Sequence, residues 1–366
     1  MKEKNASDMF FAVNSPVHLK INGNLIPINQ QKLAPENINA LLAEICTPAQ
    51  MDELERTNEL NLGIPVPNLG RFRLSAFRQR GTISAVFRFV PGNIPALAEL
   101  GLPPVLAELI MEKRGLMLIV GATGSGKSTT IAAMLDHRNA LRSGHILTLE
   151  DPIEYLFKNQ RSIVNQREIG SDAINFSTAL KNSMRQAPDC ILIGEIRDKE
   201  TMAAALAYAQ SGHLVLATLH ANNSYNALNR IISFYPMENR ASLLQDLAST
   251  VKAIVSQRLV RSINGGVRTA AVEIMVNTRY VADLIEKGEI AEIKEAIEKS
   301  MSPGSQSFEV ALLQLVKDGL ISQEEALANA DSATNLLWLL NNGPGNAEAE
   351  IKPAEQASFT EFTLTQ

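Results

Sequence analysis

The chain has 366 residues, and at about 100–200 residues per domain this length suggests two or three domains. A hydrophobic share of 45% and a charged share of 20% lie near the globular average, which speaks against wholesale disorder and against a membrane protein. A formal net charge of −5 and a pI near 5.7 argue against a translocase that grips nucleic acid over a broad basic surface, although basic residues gather at Arg71, Arg73, Arg78, Arg80 and Arg88.

The opening M-K-E-K-N-A-S-D lacks the apolar core of a signal peptide, and no uninterrupted apolar stretch reaches the ~18–20 residues that cross a bilayer, so a cytoplasmic protein is expected. Cys46 and Cys190 lie far apart without a C-x-x-C, which predicts buried thiols rather than a disulfide or zinc site. Phe10–Val13, Val17–Ile21 and Leu25–Ile28 read as strands, with Asn22-Gly23-Asn24 as a tight hairpin turn. Leu41, Leu42 and Ile45 recur at helical spacing between Pro35 and Pro48, predicting one short helix on that sheet. Arg71–Phe77 and Ile83–Val90 alternate as a second strand pair, so residues 1–90 read as a small α+β domain. The prolines and glycines of residues 91–104 read as a stiff linker.

Beyond the linker, apolar runs alternate with helices: Leu116–Val120, Ile146–Leu149, Cys190–Ile193 and Leu214–Leu219 predict a parallel sheet with crossover helices over residues 105–276. After about Phe234 the pattern is mostly helical, with one β-like insert at Val267–Val276 following a Gly265-Gly266 turn. Helical patterns at Val281–Glu286, Glu292–Lys299, Phe308–Lys317 and Gln323–Ala330 make residues 277–342 a helical C-terminal part. Residues 343–366 lack periodicity and read as a disordered tail, with Phe359 and Phe362 as a candidate docking peptide within it.

Each of the four apolar runs ends at a group capable of chemistry, and in open α/β sheets the carboxyl ends of strands converge on one crevice. The first is followed by G-A-T-G-S-G-K-S-T, the nine residues Gly121, Ala122, Thr123, Gly124, Ser125, Gly126, Lys127, Ser128 and Thr129, which satisfy the Walker A pattern for ATP. Backbone N–H groups of such a loop cradle a triphosphate, Lys127 bridges its β- and γ-phosphates, and Ser128 offers its hydroxyl to Mg²⁺. Glu150 and Glu195 end two further strands. We assign Glu195 to the metal, as a Walker B acid, and Glu150 to the attacking water, with the reverse assignment open. His220 ends the fourth run, where it is placed to sense the γ-phosphate; His213 lies at the opposite end of that strand. Among the arginines, Arg71 and Arg78 read as a solvated face, and Arg80 and Arg88 as donors to the transition-state charge.

The ordered blocks G-A-T-G-S-G-K-S-T-T, I-L-T-L-E-D-P-I-E-Y, V-N-Q-R-E-I-G, I-L-I-G-E-I-R-D and S-G-H-L-V-L-A-T-L-H-A resemble the type II/IV secretion ATPase superfamily from about Arg71 to Ser322. The short N-terminal domain and the lack of a four-cysteine zinc site resemble its retraction branch, PilT and PilU. V-A-D-L-I-E-K-G-E-I-A-E-I-K-E-A-I-E-K-S and A-L-A-N-A-D-S-A-T-N-L are similar to PilU, and the A-I-R-N-L of PilT is replaced by Tyr280-Val-Ala-Asp-Leu-Ile285. The resemblance implies a hexameric ring of subunits, each a PAS-like N-terminal domain joined to a RecA-like P-loop ATPase domain. ATP would be sandwiched between the P-loop and arginines of an N-terminal domain, matched to Arg80 and Arg88. It further implies an inner-membrane pilus platform protein and a PilT-type ATPase as partners and a peripheral place at the inner membrane, while the acidic composition leads us to expect no nucleic-acid partner. The competing function is a nucleotide-binding ring that scaffolds a partner ATPase.

Overall fold

The computed structural model describes residues 1–342 apart from residues 5, 22, 67–69, 91, 264, 266–267 and 301. The turn residue Asn22, Pro91 of the linker, Gly266 and Val267 of the second hairpin, and the whole 343–366 tail with Phe359 and Phe362 lie outside the described residues.

The N-terminal half is a six-stranded antiparallel sheet. Its strands β1 (Asp8–Phe11), β2 (His18–Ile21), β3 (Asn24–Pro27), β4 (Glu59–Val66), β5 (Gly70–Gln79) and β6 (Thr82–Val90) take the order β3-β2-β1-β6-β5-β4. Two helices rather than the expected one pack on it, α1 (Pro35–Ile45) and α2 (Pro48–Thr57). The second helix is capped by Thr47, whose side chain accepts from the Gln50 N–H while the Gln50 side chain accepts from the Thr47 N–H, a box with proline at the first helical position. Strand β4 was also absent from the sequence reading. Its Pro65 cannot donate to a ladder, and the strand accordingly lies at the sheet edge. Ile38, Leu42, Leu54, Leu74, Ala85 and Phe87 form the core between helices and sheet.

The connection to the second half is not a free spacer among its described residues. Leu97, in a 3₁₀ turn spanning Leu97–Leu100, and Leu102 pack against the core of the next sheet, as does α3 (Val105–Leu109).

That sheet has seven strands in the order β13-β12-β7-β11-β10-β8-β9. The four expected strands are β7 (Gly115–Val120), β8 (Gly144–Glu150), β10 (Cys190–Ile193) and β11 (Leu214–Leu219), all mutually parallel. Every residue of β7 is buried, and its side chains divide by parity: Leu116, Leu118 and Val120 enter the core on one face, Met117 and Ile119 the core on the other. The crossover helices are α4 (Lys127–Leu141), α5 (Phe176–Ser183), α6 (Lys199–Gln210) and α7 (Ser224–Ser233), with α8 (Arg240–Thr250) following. Cys46 and Cys190 are buried free thiols, and burial pushes Cys190 up to about 12.

Three elements correct the sequence reading. Strand β9 (Ser162–Glu168) is a polar edge strand with Ile163 exposed. Strand β12 (Val251–Arg261) lies inside the region expected to be helical and pairs parallel to β7 and antiparallel to β13 (Arg268–Val276). Its Ser256 and Gln257 interrupt the apolar pattern, yet both are buried because each has a polar partner: Ser256 donates to Glu273 Oε1 at 2.9 Å, and Gln257 Oε1 accepts from Thr130 at 2.8 Å. After β13 come α9 (Arg279–Lys287), α10 (Ile293–Glu298), α11 (Phe308–Lys317), α12 (Gln323–Asn329) and α13 (Ala333–Asn342), the last unforeseen. Phe308, Leu312, Ile321, Ala326 and Leu336 of this group close over Val260 and Ala271. No helix among the described residues is long and apolar enough to cross a membrane.

Glu273 is 4% exposed and also accepts from the Ser224 N–H and hydroxyl. Burial pushes its carboxyl above the ordinary value of 4.5, against the pull of those donors. The folded chain therefore holds this proton more tightly than the unfolded chain. The associated stability is present below about pH 4.5 and declines as pH rises towards the higher folded value. Glu273→Gln is expected to match the native protein near pH 4 and to melt higher than it near pH 8, as read by thermal unfolding at both values.

The two halves are joined by charge. Arg71 Nη2 on β5 meets Glu168 Oε2 on β9 at 2.5 Å, and Arg73 Nη1 meets Glu154 Oε1 at 2.8 Å. Arg71 is thus no solvated side chain: only 12% of it is exposed. It passes over Gly63 of β4, where a Cβ would lie 1.8 Å from its Nη2.

Candidate active site

The loop after β7 turns on glycines in backbone conformations that side chains rarely adopt. Gly121, Gly124 and Gly126 have φ of 151°, 79° and 89°, and a Cβ at Gly121 would stand 2.5 Å from both the Gln257 carbonyl and Ser125 Oγ. One at Gly126 would meet the Gln257 amide at 2.7 Å. The loop therefore lies directly on β12, and Thr130 of α4 is fastened to the same Gln257. Lys127 begins α4 and donates to the Gly121 and Ala122 carbonyls at 2.8 and 2.9 Å. Burial pushes its ammonium below the usual lysine range, and the charge of Glu195 pulls it back up. Ser125 Oγ is buried and has no hydrogen-bond partner among the described residues.

A crevice of about 650 Å³ opens in front of this loop. It brings together Thr123, Gly124, Gly126, Lys127, Ser128, Thr129, Glu150, Glu195, His220 and Arg88 of the expected residues. Gly121, Ala122 and Ser125 line a smaller hollow of about 310 Å³ behind the loop, with Asn222, Arg258 and Asn329. Arg80 lines neither. It sits exposed in the left-handed turn between β5 and β6, with φ of 48°.

The two acids differ in surroundings. Gly194 allows the ends of β8 and β10 to close up, since a Cβ there would lie 3.0 Å from the Leu149 carbonyl and 3.3 Å from Glu150 Cα. Glu195 follows it, pairs with His220 Nε2 at 3.2 Å and accepts from Arg197 at 2.7 Å. Glu150 ends β8 almost fully buried; its Oε1 accepts from the Thr148 hydroxyl at 2.7 Å and from Gln166 at 3.1 Å. Burial raises the Glu150 carboxyl above its ordinary range, and those hydrogen bonds partly offset the rise. His213 lies at the far end of β11, beside Ser211 and Tyr208.

Ser128 and Glu195 face the same crevice with hard oxygen donors, the set that Mg²⁺ accepts when phosphate oxygens and waters complete its octahedron. The donor chemistry therefore fits Mg²⁺ at these two residues. Opposite the loop, Arg73 and Arg88 of the N-terminal sheet complete the wall, with Arg88 held by Asp8 at 2.7 Å. Sequence reasoning placed Arg73 only in a basic cluster, and it missed Gln257, Tyr155 and Arg268. Tyr155 and Arg268 line the crevice directly. Of these, Tyr155 alone stood in a block marked for chemistry.

The family model for type II/IV secretion system proteins matches residues 1–330. The chain is 44% identical over 363 residues to the type IV pilus ATPase PilU of Pseudomonas aeruginosa, covering 99% of this chain and 95% of that protein. It is 38% identical over 333 residues to the type IV pilus retraction ATPase PilT of the same organism, covering 91% and 96%. The crystal structure of the pilus retraction motor PilT with bound ADP superposes with a TM-score of 0.85 at 37% identity, over 90% of this chain and 95% of that one. Similarity in sequence and in overall structure runs along almost the whole length, and the chain belongs to the type II/IV secretion system protein family, with a PilT-like ATPase fold.

Proposed function

We propose that the chain is an ATP-hydrolysing motor of the type IV pilus machinery that drives or assists pilus retraction. The observation that carries this reading is the convergence of Lys127, Glu150, Glu195 and His220 on one crevice, in a chain 44% identical to a pilus ATPase. The glycine loop and the N-terminus of α4 hold the triphosphate, and Lys127 exchanges the loop carbonyls for the β- and γ-phosphates. Ser128 and Glu195 hold Mg²⁺, which supplies charge neutralisation on the phosphates. Glu150, poised by burial to take a proton, orients and deprotonates the attacking water. His220, tied to Glu195, reports the state of the γ-phosphate edge to β11.

The N-terminal domain, residues 1–90, is read as PAS-like, residues 91–104 as its linker, residues 105–276 as the RecA-like core and residues 277–342 as the helical C-terminal part. Six subunits form the ring. Arg80, exposed at its hairpin tip, is offered to a neighbouring subunit's nucleotide, while Arg88 stands at the mouth of the chain's own crevice. The ring sits peripherally at the inner membrane on the pilus platform protein and works beside a PilT-type ATPase.

The test is Mg²⁺-dependent ATP hydrolysis by the purified chain, together with retraction in cells lacking it. Glu195→Gln is expected to lower turnover by about 10²-fold, as loss of one charged group at the phosphates does. A native chain that binds ATP without hydrolysing it, yet restores retraction beside an active PilT-type ATPase, would establish the scaffold instead.

A further inference from the structure

Behind Glu150, a single side chain ties three segments together. Gln166 of β9 has every polar atom engaged: Nε2 donates to Glu150 Oε1 at 3.1 Å and to the Tyr155 carbonyl at 2.8 Å, and Oε1 accepts the Phe157 N–H at 2.9 Å. An amide used in both directions has one permitted orientation, so Gln166 cannot flip without breaking all three bonds. Thr148 donates to the same carboxylate oxygen at 2.7 Å, and the two donors together fix the plane of the Glu150 carboxylate. Tyr155 also reaches the opposite way, its hydroxyl pairing with Thr129 Oγ1 at 2.8 Å. Thr129 lies on the helix that begins at Lys127. A continuous path therefore runs from α4 through Tyr155 and Gln166 to Glu150.

We infer that Gln166 is a positioning residue that aims the Glu150 carboxylate, and that Tyr155 keeps that aim in register with the phosphate-binding helix. The inference rests on the reading of Glu150 as the group that activates water. General-base catalysis requires the base within hydrogen-bond reach of the proton it takes, and a misaligned carboxylate loses rate without losing nucleotide. A purely structural Gln166 would serve only to satisfy the Phe157 N–H and the Tyr155 carbonyl.

The groups facing Glu150 are Thr148, Gln166 and the Glu154 N–H, which favour its charged form, and the Glu154 carboxylate, which disfavours it and is itself paired with Arg73. Removing the Gln166 donor therefore moves ionisation of Glu150 to higher pH. Removing a structural hydrogen bond elsewhere does not.

The experiment is steady-state Mg²⁺-ATP hydrolysis by the full chain from about pH 5.5 to about pH 9, for the native protein, Gln166→Leu, Gln166→Glu and Tyr155→Phe. Gln166→Leu is expected to lower kcat by about 10–100-fold, to leave KM within about threefold, and to shift the acid limb of the kcat profile upward by about one pH unit. Gln166→Glu cannot donate when ionised and adds a like charge beside Glu150, so its acid limb moves upward by at least as much as in the leucine variant. Tyr155→Phe keeps the carbonyl and loses only the link to Thr129, lowering kcat by roughly 3–10-fold with an unmoved acid limb. An unshifted acid limb in Gln166→Leu, with or without loss of rate, overturns the inference. If that variant misfolds, an unshifted acid limb in Gln166→Glu does so. A native chain that binds ATP without turning it over overturns the reading of Glu150 itself, a result distinct from either.

Discussion

Glu150→Gln is expected to keep ATP bound and to lower turnover by about 10²–10⁴-fold, the range that a positioned base contributes. The substitution preserves shape, and its carbonyl oxygen can still accept from Thr148 and Gln166, so the glycine loop is untouched. What is lost is the ability to take a proton. Burial raises the Glu150 carboxyl above its ordinary range, which on the proposed reading strengthens it as a proton acceptor. Lys127→Ala is expected to differ, since the ammonium that reaches the Gly121 and Ala122 carbonyls is the one proposed to meet the phosphates, and nucleotide affinity then falls with turnover. Binding of a fluorescent ATP analogue measured beside kcat separates the two. Native-like turnover in Glu150→Gln would hand the base to Glu195.

Glu168→Ala is expected to cost about 3–5 kcal/mol of stability, because it leaves a buried charge without its partner. Arg71 and Glu168 expose only 12% and 5% of their side chains, and Glu168 Oε2 additionally accepts the Ile153 N–H at 3.0 Å. The alanine variant strands a guanidinium and a backbone donor together. Arg71→Leu in the same background should recover part of the loss, since an apolar pair replaces a broken ionic one. Denaturant unfolding of the single and double variants reads both effects. A single-variant cost under about 1 kcal/mol would make the pair a surface contact in energetic terms.

The sequence disclosed those parts of the site that depend on local pattern. The glycine loop and the strands β7, β8, β10 and β11 were legible because a strand buried on both faces is apolar throughout, as β7 is. Glu150, Glu195 and His220 followed from their places at strand ends. Strand β12 was not legible, because Ser256 and Gln257 break the apolar run and their compensating partners, Glu273 and Thr130, are distant in sequence. The same holds for Arg71 and Glu168, whose pairing is a property of how two domains meet, and for Arg73, which alternation along β5 could not distinguish from Arg71. The helix α2 carries a capping box in Thr47-Pro48-x-Gln50 but little helical periodicity, since its apolar face rests mainly on Leu54. Arg80 and Arg88 were grouped by composition, but the turn geometry of one and the strand position of the other send them to different places.

The gap at Gly63 has a consequence for how the chain tolerates variation. Any side chain there would displace the Arg71 guanidinium, a flexible group that can swing aside without disturbing β4. The N-terminal domain would fold as before, and the damage would surface in the other domain as a Glu168 left unneutralised. In a random-mutagenesis screen, Gly63 would thus score among the residues that hold the domains together, despite forming no bond across the divide.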